Sequence, residues 1–253
     1  MDDLLNNPLI SSRYFFPGGR PPVSQLTVPV AGAMLACAVH RVDPNGFTVV
    51  HFHGNGEVVA DWQGLWDRVI NKLGWDLLLA EYRGYGGSTG EPLLGLMLDD
   101  VAAVIEAAGP PEKVVVMGRS VGSFFALEAV ERYPSIAGLI LESAIADPLE
   151  RLLLRVTPAE IGATADDWQA MGQRLDHQRK ISNYSGPTLL LHTRVDGLVD
   201  VSHAQRLKRW AGGPSTLRVF ESGNHNSILG ENWDEYLRLV ADFLLSVRTS
   251  TQA

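Results

Sequence analysis

A serine between two glycines is the pattern in this chain with the clearest capacity for chemistry. Residues 118–122 read Gly-Arg-Ser-Val-Gly; a short apolar run at 114–117 precedes them, and a helical pattern begins directly afterwards. In a G-x-S-x-G turn between a strand and a helix, the serine hydroxyl stands above the end of the strand as a nucleophile. Because the chain has 25 glycines among 253 residues, the pentapeptide alone could arise by chance. The assignment of Ser120 therefore depends on its neighbours and partners.

A serine hydroxyl attacks a carbonyl only when a base removes its proton. Of the seven histidines, His225 stands between the last predicted strand and the final predicted helix. A loop in that position lies at the carboxyl edge of the sheet, within reach of Ser120. His51 and His192 lie inside predicted strands, and His203 opens a predicted helix. We therefore interpret His225 as the general base.

The base needs an acid that fixes its tautomer and orientation. That acid is expected after a strand between Ser120 and His225, and the segment 190–200 supplies two candidates. We favour Asp196, because it follows the strand sooner and precedes a glycine. Asp200 is expected to cap the next helix, and Asp147, after the preceding strand, is the reserve.

The tetrahedral intermediate of acyl transfer also needs two hydrogen-bond donors for its oxyanion. One is predicted to be the backbone N–H of Val121, at the start of the helix. The other is predicted to be the backbone N–H of Asn55, because Gly54 and Gly56 on either side let the main chain approach closely. The Asn55 side chain itself is expected only to favour a left-handed turn.

Strand-like apolar runs alternate with helical patterns along the whole chain, which predicts α/β architecture: a mostly parallel, doubly wound sheet of about eight strands. The strands are expected at 26–39 (a hairpin), 47–52, 77–82, 114–117, 139–142, 188–192 and 217–220. The helices are expected at 58–73, 98–108, 121–133, 204–210 and 233–247. No linker or repeat divides the chain, so residues 1–253 are predicted to form one domain.

The segment at about 144–186 is too long for a simple connection and is predicted to form a short helical cap over the site. Trp168, within it, is a candidate for the wall of a pocket. The aromatic segment 14–17 is expected to pack across the domain as an N-terminal arm.

Five motifs together resemble the α/β-hydrolase superfamily, and in particular its small-cap branch of serine aminopeptidase-like proteins and lipid or acyl-thioester esterases. They are residues 53–57, 82–90, 118–122, 196–199 and 223–225. The resemblance covers about residues 25–247. It departs from the family pattern at Asp200, where a proline is usual.

This resemblance implies a serine hydrolase that cleaves an ester or thioester of a small acyl substrate through an acyl-enzyme. Ser120, His225 and Asp196 would form the triad, and Asn55 and Val121 the oxyanion hole. No metal or organic cofactor is implied. A peptidase or amidase on the same scaffold and a non-catalytic signalling protein remain alternatives.

Two other motifs are interpreted as structural. The glycine-rich segment 84–90 follows a strand but has Thr89 at the third position of a dinucleotide-binding pattern, and no helix opens there. His51 and His53 share one side of a strand, but no third ligand follows at a useful spacing. We expect His51 in the core and His53 hydrogen-bonded within the loop of residues 53–57, which contains Asn55 and is called the oxyanion loop below.

The composition of the chain argues against several classes of binding partner. The formal net charge is −8 and no basic face is evident, which argues against nucleic acid or an anionic membrane as the main partner. No run approaches the roughly 18 apolar residues of a membrane span. The N-terminus does not resemble a signal peptide, so a cytoplasmic location is expected. The single cysteine, Cys37, is expected to be a buried hydrophobic residue. The oligomeric state is left open.

Overall fold

The computed structural model describes residues 4–23 and 25–251, and an eight-stranded sheet forms its centre. The strands are β1 (Gln25–Val30), β2 (Ala33–His40), β3 (Thr48–Phe52), β4 (Asp76–Ala80), β5 (Val114–Arg119), β6 (Gly138–Glu142), β7 (Thr188–Thr193) and β8 (Ser215–Phe220). Their order is β1-β2-β4-β3-β5-β6-β7-β8. The pairs β1–β2 and β2–β4 are antiparallel and all the others are parallel. The predicted mostly parallel sheet of about eight strands is confirmed.

Helices cover the sheet and connect its strands. They are α1 (Pro8–Tyr14), α2 (Val59–Trp62), α3 (Trp66–Lys72), α4 (Leu94–Ala108), α5 (Gly122–Arg132), α6 (Pro148–Leu153), α7 (Ala165–Arg174), α8 (His177–Asn183), α9 (Ser202–Trp210), α10 (Ile228–Glu231) and α11 (Trp233–Thr251). Short 3-10 turns occur at Leu4–Asn6, Pro111–Lys113 and Pro158–Ile161.

Alternating side chains of the central strands supply two separate cores. Val50 and Val116 belong to the core that contains α4 and α5 residues, whereas Val49 and Val115 belong to the core that contains α3 and α11 residues. Because side chains of a strand alternate between its two faces, helices must lie on both sides of the sheet. This is the doubly wound arrangement that the continuous apolar runs predicted.

The structure differs from the sequence prediction at several helix boundaries. The helix expected over 58–73 is two helices, since α2 ends before Gly64, whose φ of +81° is left-handed. The helix expected over 98–108 already begins at Leu94. The short helices α1 and α10 were not predicted.

Cys37 is fully buried, as expected, and burial raises the pKa of its thiol to about 12.

The connection between β6 and β7 holds α6, α7 and α8, each begun by a side chain that satisfies a free N–H group. Asp147 accepts a hydrogen bond from Glu150 N (3.0 Å), Thr164 from Asp167 N (3.2 Å) and Asp176 from Arg179 N (2.9 Å). These three caps fix where the helices start. None of the described helices is long and apolar enough to cross a lipid bilayer.

Candidate active site

The turn between β5 and α5 holds Ser120 in a strained backbone conformation. Its φ is +53°, a left-handed value that costs energy for a residue with a side chain. The flanking glycines are sterically required. A Cβ on Gly122 would lie 2.1 Å from the carbonyl oxygen of Phe52, and one on Gly118 would lie 2.6 Å from the carbonyl oxygen of Gly122. The turn can therefore form only with glycine at both positions.

Ser120, His225 and Asp196 lie together in one hydrogen-bonded chain at the carboxyl edge of the sheet. The Ser120 Oγ to His225 Nε2 distance is 3.0 Å, and His225 Nδ1 lies 2.8 Å from Asp196 Oδ2. All three residues are more than nine-tenths buried. When Nδ1–H donates to the carboxylate, the lone pair of Nε2 faces the serine hydroxyl. This is the geometry in which a histidine can remove the serine proton.

The loop after β7 holds Asp196 as an acceptor. Burial opposes ionisation of this carboxyl, but hydrogen bonds from His225 and from the N–H groups of Val199 (2.8 Å) and Leu198 (2.9 Å) outweigh it and lower its pKa to about 2. His192 Nε2–H donates to the Val199 carbonyl at 2.8 Å and so fixes the same loop. Asp196 is therefore ionised at neutral pH.

The other two acid candidates have different positions. Asp200 is exposed and accepts a hydrogen bond from Ser202 N at 2.9 Å, at the start of α9. Asp147 caps α6. Of the three carboxyls considered from the sequence, the structure places Asp196 against the histidine.

The backbone N–H groups of Asn55 and Val121 belong to residues that line the cavity above Ser120. Within residues 4–23 and 25–251 neither N–H donates to a protein acceptor, so both are free to receive an oxyanion. The left-handed residue of the loop is Gly56, with φ +78°, and not Asn55. The expectation for the Asn55 side chain was therefore wrong.

The Asn55 side chain instead ties the oxyanion loop to the N-terminal arm. Its Oδ1 accepts hydrogen bonds from Phe16 N (3.1 Å) and Tyr85 Oη (3.0 Å), and its Nδ2 donates to the Tyr14 carbonyl (2.5 Å). In the arm, Phe15 is buried, as predicted for packing across the domain, but Phe16 is 53% exposed and lines the cavity.

A buried ion pair between His53 and Glu81 supports the oxyanion loop. His53 Nε2 lies 2.8 Å from Glu81 Oε1, and His53 Nδ1 lies 2.8 Å from the carbonyl oxygen of Gly54. Burial lowers the pKa of His53, but the Glu81 carboxylate outweighs it and the net shift is upward. With two acceptors around the ring, both nitrogens act as donors. His51 packs against Trp62 in the core, as expected, so the two histidines do not share a site.

Arg119 is the functional neighbour that the sequence analysis missed. It is 5% exposed; its Nε lies 3.0 Å from Glu142 Oε1, and its Nη1 contacts Glu57. Its Nη2 donates to the carbonyl oxygen of His225 at 2.8 Å. Only its position beside Ser120 could have drawn attention to it, because these partners are far apart in the sequence.

A cavity of about 560 Å³ opens above Ser120 and His225. Its lining combines the site residues with the N-terminal arm and the 144–186 segment: Tyr14, Phe16, Asn55, Arg119, Ser120, Val121, Ile145, Arg151, Leu154, Arg155, Leu198, Val199, His225 and Asn226. Trp168 is not among these residues and packs against the apolar core, so its prediction as a pocket wall was wrong.

Known proteins share this architecture. The family model for the alpha/beta hydrolase fold matches residues 48–168. The chain is 26% identical over 214 residues to the uncharacterized protein YfhR of Escherichia coli, covering 79% of this chain and 70% of that protein. It is 25% identical over 219 residues to human alpha/beta hydrolase domain-containing protein 17B, covering 84% and 72%.

Solved structures show the same fold. Acetyl xylan esterase 1 from Thermoanaerobacterium superposes with a TM-score of 0.69 at 15% identity, over 97% of this chain and 94% of that one. The monoacylglycerol lipase from Paleococcus ferrophilus gives 0.67 at 19% identity, over 84% and 99%. The chain therefore has the α/β-hydrolase fold.

Proposed function

We propose that this protein is a serine hydrolase that cleaves an ester or thioester of a small acyl substrate. The observation that carries the proposal is the chain of hydrogen bonds from Ser120 through His225 to Asp196, which opens onto a cavity. The cavity volume of about 560 Å³ is within the range of small-molecule sites. Esterases and lipases among the proteins of the same fold agree with this chemistry.

The reaction would proceed in two steps. Ser120 Oγ attacks the acyl carbon while His225 Nε2 takes its proton, and Asp196 stabilises the resulting imidazolium. The carbonyl oxygen becomes an oxyanion, which accepts hydrogen bonds from the N–H groups of Asn55 and Val121. As the intermediate collapses, the bond to the leaving group breaks and His225 returns the proton to that group.

The acyl-enzyme is then hydrolysed by the same groups. His225 removes a proton from water, the hydroxide attacks the acyl carbon, and the second tetrahedral intermediate expels Ser120 Oγ, which recovers its proton from His225. The carboxylate of Asp196 stays ionised in both steps, consistent with its pKa of about 2.

The test is hydrolysis of p-nitrophenyl butyrate together with labelling by a fluorophosphonate probe. Ser120→Ala should abolish both, and His225→Ala should reduce labelling to background. Ser143→Ala is the matched control, since Ser143 is also a buried serine with a positive φ (+46°) at the same sheet edge. Equal turnover in wild type and Ser120→Ala, with the fold intact by circular dichroism, would refute the proposal.

A further inference from the structure

Two arginines of the 144–186 segment form one wall of the cavity. Arg151 lies in α6 and Arg155 follows it by four residues, and both line the space above Ser120. In the part of the chain that the structure describes, neither guanidinium lies within ion-pair distance of a carboxylate. This distinguishes them from Arg119, which lines the same cavity but is paired with Glu57 and Glu142.

The acidic side chains closest in sequence are engaged elsewhere: Asp147 accepts the capping hydrogen bond of α6 from Glu150 N, and the other two are bound to other arginines. Glu150 pairs with Arg206 at 3.4 Å, and Glu160 pairs with Arg13 at 2.8 Å. Glu160 also accepts a hydrogen bond from Thr157. Among the described residues, none of these carboxylates forms an ion pair with Arg151 or Arg155.

The cavity is therefore basic within an acidic protein. The formal net charge of the chain is −8, yet the described residues that line this cavity include three arginines and no aspartate or glutamate. Positive charge gathered in a concave, partly apolar site raises the local concentration of anions. Such a site favours a ligand of opposite charge.

One N–H donor of the Arg151 side chain also lacks an acceptor. Its Nε is buried and, among the described residues, has no hydrogen-bond acceptor. A buried donor without an acceptor costs free energy, and an incoming anion would supply the acceptor. The guanidinium lies near the Tyr14 hydroxyl: burial raises the pKa of that hydroxyl to about 12, and the charge of Arg151 opposes the rise.

We infer that Arg151 and Arg155 bind an anionic group, a carboxylate or a phosphate, on the substrate whose acyl bond Ser120 cleaves. Guanidinium groups bind both anions with paired N–H donors. This inference rests on the proposed hydrolase function and specifies its substrate class. Because the two arginines come from the segment above the sheet, that segment would select the substrate while the sheet edge performs the chemistry.

The first test compares two pairs of substrates in which one member carries an anionic group and the other is neutral. p-Nitrophenyl glutarate carries a carboxylate where p-nitrophenyl valerate has a methyl group. Butyryl-coenzyme A carries phosphates on its leaving group, whereas S-butyryl-N-acetylcysteamine is neutral. We expect wild type to prefer the anionic member of at least one pair by about 10-fold in kcat/KM. A preference in the first pair places the anion on the acyl group, and a preference in the second pair places it on the leaving group.

Variants then assign the preference to the two arginines. Arg151→Gln and Arg155→Gln should each lower the ratio of anionic to neutral kcat/KM by about 10-fold, the loss of one charged hydrogen-bonding partner. Arg209→Gln, an exposed change of the same charge in α9, should leave the ratio unchanged. A wild-type ratio near or below one for both substrate pairs would overturn the inference, as would ratios that the two cavity variants leave unaltered.

A binding measurement separates this inference from the proposed function. Calorimetric titration of Ser120→Ala protein with monomethyl glutarate and with methyl valerate requires no turnover. Tighter binding of the anion, lost in Ser120→Ala/Arg155→Gln, supports the anion site even if no ester is hydrolysed. Equal binding of the two compounds, together with equal turnover of both substrate pairs by the active enzyme, would refute the anion site and leave the hydrolase proposal intact.

Discussion

Arg119 and His225 are joined by a 2.8 Å hydrogen bond from Nη2 of the arginine to the carbonyl oxygen of the histidine. The same guanidinium binds Glu142, at the end of β6, and Glu57, in the oxyanion loop. The residue that precedes Ser120 thus connects the loops on either side of it. We interpret Arg119 as a positioning residue that sets the distance between the serine and the histidine.

Arg119→Lys should lower kcat by about 10-fold or more while KM changes little. A lysine has a single point charge and cannot bind both carboxylates and the His225 carbonyl in one plane, so the histidine would drift from the serine. The measurement is ester hydrolysis together with the rate of fluorophosphonate labelling. Arg20→Lys, at an exposed ion pair with Asp61, is the control. Equal labelling rates in wild type and Arg119→Lys would show that the arginine only supports the fold.

The parts of the site that depend on local sequence were predictable, whereas those that depend on long-range packing were not. The β5 strand, the elbow at Ser120 and the loop of His225 each have a local pattern of apolar residues and glycines. The contacts of Arg119 join residues 57, 142 and 225, and no periodicity encodes them. The Asn55 side chain was misjudged for the same reason, because its partners lie in the N-terminal arm.

Asp196→Asn should reduce kcat by about 10³-fold or more, while Asp200→Asn should change it by less than about twofold. The amide cannot stabilise the imidazolium and favours the wrong histidine tautomer. Asp200 is exposed and its contact is with Ser202, at the start of α9. Steady-state kinetics of both variants on p-nitrophenyl butyrate make the comparison. A larger loss in Asp200→Asn would transfer the acid role to that residue.

Gly122→Ala should destabilise the protein by about 3 kcal/mol or more, or prevent folding. The added Cβ would lie 2.1 Å from the Phe52 carbonyl oxygen, and neither backbone segment can move without disrupting β3 or the elbow. Gly230→Ala in α10 is the matched control, since nothing lies within 4 Å of its added Cβ. It should be neutral or stabilising by up to about 1 kcal/mol. Urea unfolding measures both, and similar free energies of unfolding would contradict the steric argument.

Unfolding at mildly acid pH should depend on His177, the first residue of α8. Burial and the charge of Lys180 together lower the pKa of its imidazole to about 3, although the hydrogen bond to the Ile145 carbonyl (2.7 Å) opposes them. In the unfolded chain the pKa is about 6.5. Between these values the unfolded state binds the extra proton, so the free energy of unfolding falls as the pH drops below about 6.5.

His177→Gln tests this, because a glutamine amide can still donate to the Ile145 carbonyl but does not titrate. A single histidine contributes at most about 1.4 kcal/mol per pH unit. The variant should therefore lose stability less steeply than wild type between pH 6.5 and pH 5 in urea unfolding. At pH 8, where the histidine is neutral in both states, the difference between the two proteins reports only the change in packing. If the free energies of unfolding of the two proteins changed in parallel with pH across the whole range, His177 would not be the titrating group, since the other buried histidines are common to both proteins.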